Sequence, residues 1–133
     1  KITVGSELGW GKAIHPDGVR YGRQGILASA INLGQLAGTI EPIAHHTDGT
    51  QKLIQLVDRD CYVNAPFRGY YEPFFRCGRK VAAGEPVARM HDFNRIDEPA
   101  TQILAPVDGY IMTQAWENPV PHGTFVLAVA REV

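Results

Sequence analysis

One carboxylate near the start of the chain has the surroundings of a catalytic acid or base. Glu7 follows a short β run at residues 2–4 and precedes Leu8-Gly9-Trp10-Gly11, within a Gly-rich bend. A carboxylate at a strand end beside glycines reaches into a cleft without steric crowding, and carboxylates serve as general acids and bases. Spacing alone leaves a second interpretation open, in which Glu7 is a solvated or loop-capping side chain.

The histidines do not match a metal-binding pattern. An open catalytic zinc site needs three protein ligands, and no Glu stands three residues after any histidine. Adjacent residues of a strand point to opposite faces, so we interpret His45 and His46 as surface features. We interpret His91-Asp92 as a polar turn, with ligand binding as the alternative. The sequence therefore predicts that this chain holds no catalytic zinc. The remaining histidines are His15 and His122.

The composition excludes several classes of partner. With a formal net charge of -1, the chain lacks the positive field that binds nucleic acid or anionic lipid. Its apolar runs, such as FVLAVA, are too short to cross a bilayer, and KITVGSELGW has no signal-peptide core. We expect a cytoplasmic protein in which Cys61 and Cys77 are reduced; a disulfide between them is the alternative.

The segment after Glu7 predicts a helix. Pro16 suits the first helical turn, Asp17 suits the positive end of the helix dipole, and Gly38 suits the stop. Three glycines in this segment weaken the helix by up to about 1 kcal/mol each, and we expect them to allow close packing on a sheet. They are Gly18, Gly22 and Gly25, and the apolar face comprises Val19, Ile26, Leu27, Ala30, Ile31 and Leu33.

The rest of the chain contains an internal repeat. The shared form is Ala-Pro-x-x-Gly-Tyr, a loop, then Val-x-x-Gly-x-x-Val, which indicates two β units that bury their apolar faces against each other about a pseudo-twofold axis. The first copy has Ala65, Pro66, Gly69, Tyr70, Val81, Gly84 and Val87; the second has Ala105, Pro106, Gly109, Tyr110, Val120, Gly123 and Val126.

This repeat resembles the barrel-sandwich hybrid of biotinyl and lipoyl carrier domains. A carrier presents a modifiable lysine on the hairpin between the two halves. Here that connection is HDFNRIDEPATQ, which contains no lysine, and Lys80 lies elsewhere, inside the first copy. The scaffold is therefore expected, and the carrier function is disfavoured.

These segments follow one another in the same order as in a known enzyme family. ITVGSELGWGKAIHPDGVRYGRQGILASAINLGQLAG looks like the end of the catalytic domain of the succinylglutamate desuccinylase/aspartoacylase family, zinc-dependent deacylases related to zinc carboxypeptidases, and the repeat resembles that family's C-terminal β domain. The resemblance implies a mainly β fold, with a barrel-sandwich hybrid-like domain at residues 40–133. Residues 1–39 would be a strand and a helix from a truncated α/β zinc-hydrolase domain. Trp10 departs from the family pattern, which has a small residue there.

The resemblance also implies roles for individual residues. By motif match, Glu7 becomes the general base that activates the attacking water and then the acid that protonates the leaving amine. The family's zinc ligands lie upstream of this motif, so zinc belongs to the full-length parent and none is expected on this chain. The segment RGYYEPFF supplies the nearest substrate-binding candidates, Arg68, Tyr71 and Glu72, with a rim charge and a partly buried aromatic strand as the alternative.

Three functions are compatible with these patterns. The favoured one is the C-terminal fragment of a zinc-dependent amidohydrolase acting on a small N-acyl amino acid, an interpretation that also fits a first residue that is not Met. A non-catalytic β module for carrier-like or partner binding, and a scaffold that completes another subunit's site, are the alternatives. Because the apolar helix face would lose the sheet it packs on, we expect homo-oligomers.

Overall fold

The computed structural model describes residues 14–40 and 52–133, together with Thr3, Gly5, Ser6 and Leu8. The chain divides into two compact units, Lys1–Gln51 and Lys52–Val133. The described part is mainly β, as predicted, with two antiparallel sheets and one α-helix. Glu7, Trp10, His45 and His46 lie outside the described residues, and the strand expected at residues 2–4 lies largely outside them. The boundary predicted after residue 39 stays a prediction.

The helix of the first unit confirms the predicted helix and its predicted start. Helix α1 spans Pro16–Asn32, with Pro16 in its first turn and Asp17 beside it. Its end differs from the expected stop at Gly38, because Gly34 has a φ of 69° and its N–H donates to the Ile31 carbonyl. A glycine takes up this left-handed conformation without steric cost, and so the helix ends four residues earlier than predicted.

Eight short strands build the second unit. One sheet has the order β1–β8–β7–β4, with β2 also paired to β8, and the other has the order β3–β5–β6. A single 3₁₀ turn, Arg59–Cys61, precedes β2. The strands are β1 (Ile54–Gln55), β2 (Tyr62–Asn64), β3 (Tyr70–Pro73), β4 (Lys80–Val81), β5 (Pro86–His91), β6 (Thr101–Leu104), β7 (Gly109–Gln114) and β8 (Phe125–Glu132).

The two copies of the repeat exchange equivalent hydrogen bonds. The Ala65 N–H donates to the Thr124 carbonyl at 2.7 Å, and the matching Ala105 N–H donates to the Glu85 carbonyl at 2.8 Å. Strands β2 and β4 of the first copy pair with β8 and β7 of the second, while β6 of the second copy pairs with β5 of the first. Each half therefore completes the sheet of the other.

The core lies where the two copies meet. The matched Ala and Val positions are buried in both halves, and every residue of β8 from Val126 to Ala130 is buried. The turn glycines also match, with φ of 81° at Gly84 and 77° at Gly123. The largest side chains without exposure are Met90, Ile111, Leu127, Val87, Val120, Val126, Val129 and Cys61.

Candidate functional site

The residue that follows the predicted base packs against the helix through glycine. A Cβ atom added at Gly18 would lie 2.0 Å from the Leu8 carbonyl oxygen, and one added at Gly22 would lie 3.0 Å from the Leu8 Cδ1. Only a glycine permits so close an approach between two backbones. These two glycines of α1 therefore fix the position of Leu8, the immediate neighbour of Glu7, and Glu7 itself lies outside the described residues.

Two glycine substitutions in α1 should have opposite effects. We expect Gly18→Ala to destabilise the first unit by about 1–3 kcal/mol, because its Cβ overlaps the Leu8 carbonyl. Gly25→Ala meets no atom within 4 Å and should stabilise the helix by up to about 1 kcal/mol. Thermal unfolding followed by circular dichroism separates the two. Equal melting temperatures for both variants would contradict the packing of Leu8 on the helix.

A cluster of charged side chains occupies one face of the three-stranded sheet. The register pairs Glu72 with Arg89 and Tyr70 with His91, which places all four side chains on the same face. Glu72 accepts two hydrogen bonds from Arg89, from Nε at 2.7 Å and from Nη2 at 2.9 Å, and its Oε2 lies 2.6 Å from His91 Nε2. We call Glu72, Arg89 and His91 the Glu72 cluster.

Both partners of Glu72 favour its charged form. The hydrogen bonds from Arg89, and then from His91, lower the pKa of Glu72 from 4.5 to about 2. A fork-to-carboxylate pair of this kind fixes orientation as well as charge. The cluster is therefore an ordered feature in which the Glu72 carboxylate is already engaged by Arg89 and His91.

The depressed pKa of Glu72 predicts a pH-dependent stability. Because the folded-state pKa lies below the unfolded-state pKa, the contribution of Glu72 is complete above pH 4.5 and is lost as the pH falls toward 2. Glu72→Gln should therefore melt at a lower temperature than the wild type at pH 7, with a difference that shrinks between pH 4.5 and pH 2. Glu117→Gln, at an exposed position without an ion pair in the described part, is the matched control. A constant difference across this range would contradict the assignment.

The predicted substrate-binding residues do not all share this face. Arg68 is exposed, but Tyr71 lies within β3 rather than on a loop, is 4% exposed, and has a pKa raised by burial. Its hydroxyl has no hydrogen-bond partner among the described residues. The Asn118 side chain binds the Tyr71 backbone through its Oδ1, at 2.8 Å from the N–H, and its Nδ2, at 3.2 Å from the carbonyl. Substrate binding by Arg68, Tyr71 and Glu72 stays a prediction.

The exposed aromatic residues beside the cluster were not predicted. Tyr70, rather than Tyr71, points outward at 40% exposure, and its ring lies 4.6 Å from the ring of Phe93 in the connecting hairpin. The Phe93 ring also lies 6.2 Å from the His91 ring. The internal repeat contained a signal for Tyr70, because it aligns Tyr70 with Tyr110, whereas Phe93 had no signal in the sequence.

Neither a metal centre nor a membrane span emerges from the described part of the chain. No three His, Cys, Asp or Glu side chains within it lie close enough together to hold a metal ion. Its helix is neither long enough nor apolar enough to cross a bilayer. Cys61 is buried and Cys77 is exposed, and both are free thiols. These residues therefore do not fit a catalytic zinc, and any such ion requires other ligands.

A comparison with curated proteins finds similarity to a deacetylase. The N-alpha-acetyl-L-2,4-diaminobutyric acid deacetylase of Halomonas elongata is 26% identical to this chain over 133 residues, which are 100% of the chain and 38% of that enzyme. No protein-family model matches the chain. The chain thus spans well under half the length of its curated relative.

Solved structures extend this similarity to the fold. A succinylglutamate desuccinylase/aspartoacylase from Rhodobacter sphaeroides superposes with a TM-score of 0.78 at 27% identity, covering 91% of this chain and 37% of that protein. An aspartoacylase family protein from Mesorhizobium loti shares the fold, with a TM-score of 0.76 at 19% identity, covering 88% and 40% of the two chains. The chain resembles the succinylglutamate desuccinylase/aspartoacylase family over nearly its whole length, as the sequence motifs indicated.

Proposed function

We propose that this chain is the C-terminal part of a zinc-dependent amidohydrolase that removes an acyl group from an N-acyl amino acid or a related amine. The observation that carries the proposal is the similarity of all 133 residues to a deacetylase. The superposition on a desuccinylase/aspartoacylase supports it from the fold. The relatives' names supply three substrates to test, namely the N-acetyl-2,4-diaminobutyrate, N-acylaspartate and N-succinylglutamate types.

In this proposal Glu7 is the general base and acid. Its carboxylate accepts a proton from the water that attacks the amide carbonyl and returns that proton to the leaving amine. Leu8 next to it is held against α1 by the close approach at Gly18, which supports a fixed position for the motif. A base must be held within hydrogen-bond reach of the water, so a rigid backbone at this point serves the chemistry.

The proposed role of the β domain is to wall the active-site cleft. The outward face of β3 and β5 supports this, since it combines exposed Tyr70 with the ordered charges of the Glu72 cluster. We infer a barrel-sandwich hybrid-like arrangement with a pseudo-twofold repeat, supported by the reciprocal pairing of β2 with β8 and β6 with β5. In this arrangement, substitutions of exposed loop and strand-end residues would change the substrate preference without disturbing the core.

The zinc ion of this proposal belongs to the longer parent protein. The described residues offer no set of three ligands, and no Glu follows any histidine at the required spacing, so the ligands would come from upstream sequence. When bound, zinc would supply polarisation of the amide carbonyl. We expect the isolated chain to be inactive, and we place the parent in the cytoplasm as a homo-oligomer.

A direct test joins this chain to an upstream zinc-binding region. The chain alone and a fusion to the part of the Halomonas elongata deacetylase outside the matched region would be assayed with the three substrate types. We expect stoichiometric zinc and deacylation in the fusion and neither in the chain alone. The intact Halomonas enzyme controls for the upstream part. A folded, zinc-loaded fusion without deacylase activity on any substrate would count against the proposal.

A non-catalytic module for carrier-like or partner binding is the second candidate. The reciprocal pairing of the two copies favours it, because carrier domains use such a scaffold. The connecting hairpin contains no lysine for biotin or lipoate. Intact-mass measurement of the chain purified from its natural host decides the matter, since an added biotinyl or lipoyl mass would support the carrier.

A further inference from the structure

The repeat provides an internal comparison around its two matched tyrosines. At Tyr110 of the second copy, the ammonium of Lys80, which belongs to the first copy, lies 5.7 Å from the ring centroid. The Tyr110 hydroxyl donates to Glu132 Oε2 at 3.2 Å, and Lys80 Nζ lies 3.9 Å from the same oxygen. The aromatic face of Tyr110 is thus occupied by the protein's own cation, with the Glu132 carboxylate close to both groups.

Around Tyr70, the first copy has the same strand pairing as the second copy has around Tyr110, but the neighbouring side chains differ. Tyr70 pairs with His91 as Tyr110 pairs with Ala130, and so the residues two positions further along, Phe93 and Glu132, correspond. The bridge between Gly69 and Val120 matches the pairing of Gly109 with Val81, which aligns Pro119 with Lys80. At Tyr70 the cation is therefore replaced by proline, and the neighbouring carboxylate is replaced by a second aromatic ring.

The Tyr70 and Phe93 rings are accessible, and no cation of the described residues lies over either ring. Phe93 is 62% exposed and Tyr70 is 40% exposed. Within the described part of the chain, cations lie over four other rings, and none lies over Tyr70 or Phe93, although Arg68 is only two residues from Tyr70. The occupied rings are Tyr21, Phe74, Phe75 and Tyr110.

The two rings are also held in place. Their centroids are 4.6 Å apart with an interplanar angle of 45°, so the two rings pack against each other and a ligand would meet their outward surfaces. His91, fixed by its 2.6 Å contact with Glu72, packs beside Phe93. Asp92 accepts hydrogen bonds from the Asn94 backbone and side chain, which orders the start of the hairpin. A pre-ordered pair of rings loses little entropy when a ligand binds.

We propose that Tyr70 and Phe93 form a binding site for an organic cation, the ammonium or guanidinium group of a small molecule. The ligand cation takes the place that Lys80 takes on Tyr110 in the other copy. Aromatic rings attract such cations through their quadrupoles, and paired rings are the usual means of recognising quaternary ammonium groups. This site does not depend on the proposed deacylase reaction.

A matched pair of probes tests the charge requirement. Choline and its neutral isostere 3,3-dimethyl-1-butanol would be titrated into the 133-residue chain and followed by NMR. We expect a saturable upfield shift of the choline methyl protons, with Tyr70 and Phe93 ring signals moving in parallel and a much weaker response to the alcohol. An equal response to both probes, or no saturable shift with choline, would overturn the site.

Two leucine variants locate the binding. Phe93→Leu and Tyr70→Leu keep an apolar side chain but remove the aromatic face, and each should weaken choline binding by roughly two- to fivefold. Tyr62→Leu is the control, because Tyr62 is an equally exposed tyrosine in an aromatic contact with Phe125 on another strand. Weakening by the control alone would place the binding elsewhere and refute the assignment.

A third variant tests the comparison between the two copies of the repeat. Lys80 is largely exposed, so Lys80→Ala should leave the fold intact while vacating the face of Tyr110. We expect the variant to bind a second choline, reported by new shifts of the Tyr110 ring, with the Tyr70 site unchanged. If choline does not shift the Tyr110 ring signals in this variant, the comparison between the two tyrosines is wrong and the proposal is refuted.

Discussion

Replacing Gly109 with alanine should strongly destabilise the β unit. A Cβ atom at this position would lie 2.1 Å from the carbonyl oxygen of Ala130 and 2.8 Å from its carbonyl carbon. Both atoms belong to β8, which carries hydrogen bonds to strands on both sides and cannot move away locally. The obstacle is backbone rather than a flexible side chain, so we expect a loss of about 3 kcal/mol or more.

A graded set of glycine variants checks this result by chemical denaturation. Gly69→Ala, the equivalent position in the first copy, should be destabilising as well, because its Cβ would lie 2.5 Å from the His91 carbonyl oxygen. Gly84→Ala meets no atom within 4 Å and bears only the strain of its φ of +81°, about 1–2 kcal/mol. If Gly109→Ala unfolds at the same denaturant concentration as Gly84→Ala, the close approach of β7 and β8 is wrong.

The second prediction with a large expected effect concerns catalysis, and it rests on the proposed function. In a catalytically complete protein that carries this chain, Glu7→Gln should lower kcat by roughly 100- to 10,000-fold, because an amide cannot accept the proton of the attacking water. The KM should change far less, since Glu7 acts on the water rather than on the substrate's binding groups. Steady-state kinetics with the preferred N-acyl amino acid measure both constants.

A structural role for Glu7 would produce a different result. Glu117→Gln, which changes an exposed loop carboxylate, is the control and should keep the parent's activity. The pH profile adds a second measurement, because Glu7→Gln should lose the acidic limb that reports ionisation of the base. A fully active Glu7→Gln variant with an unaltered pH profile would remove Glu7 from the mechanism.

Local signals in the sequence were sufficient to predict the helix and the repeat. Pro16 and Asp17 gave the start of α1, since both act within a single turn. The two turn glycines, Gly84 and Gly123, marked equivalent points of the two copies because each adopts positive φ. The position of the helix end was not predictable, as Gly34 and Gly38 both satisfy the same local rule.

The candidate site depends on the register between paired strands, and local sequence patterns do not determine that register. Whether Tyr70 or Tyr71 faces outward is decided by the pairing of β3 with β5, and a shift of one residue would exchange them. The contacts of Glu72 with Arg89 and His91 likewise join residues on two strands. Only their alignment across the sheet brings these groups together.

The reciprocal bonding of the two copies makes them mutually dependent. A chain with only one copy would leave the backbone groups of β2 and β4 without partners, and it could satisfy them only by pairing with an identical molecule. Such a chain would be an obligate homodimer with two identical tyrosine faces. Joining both copies in one chain allows their side chains to differ, and here one tyrosine ring carries an internal lysine while its counterpart packs against a second ring.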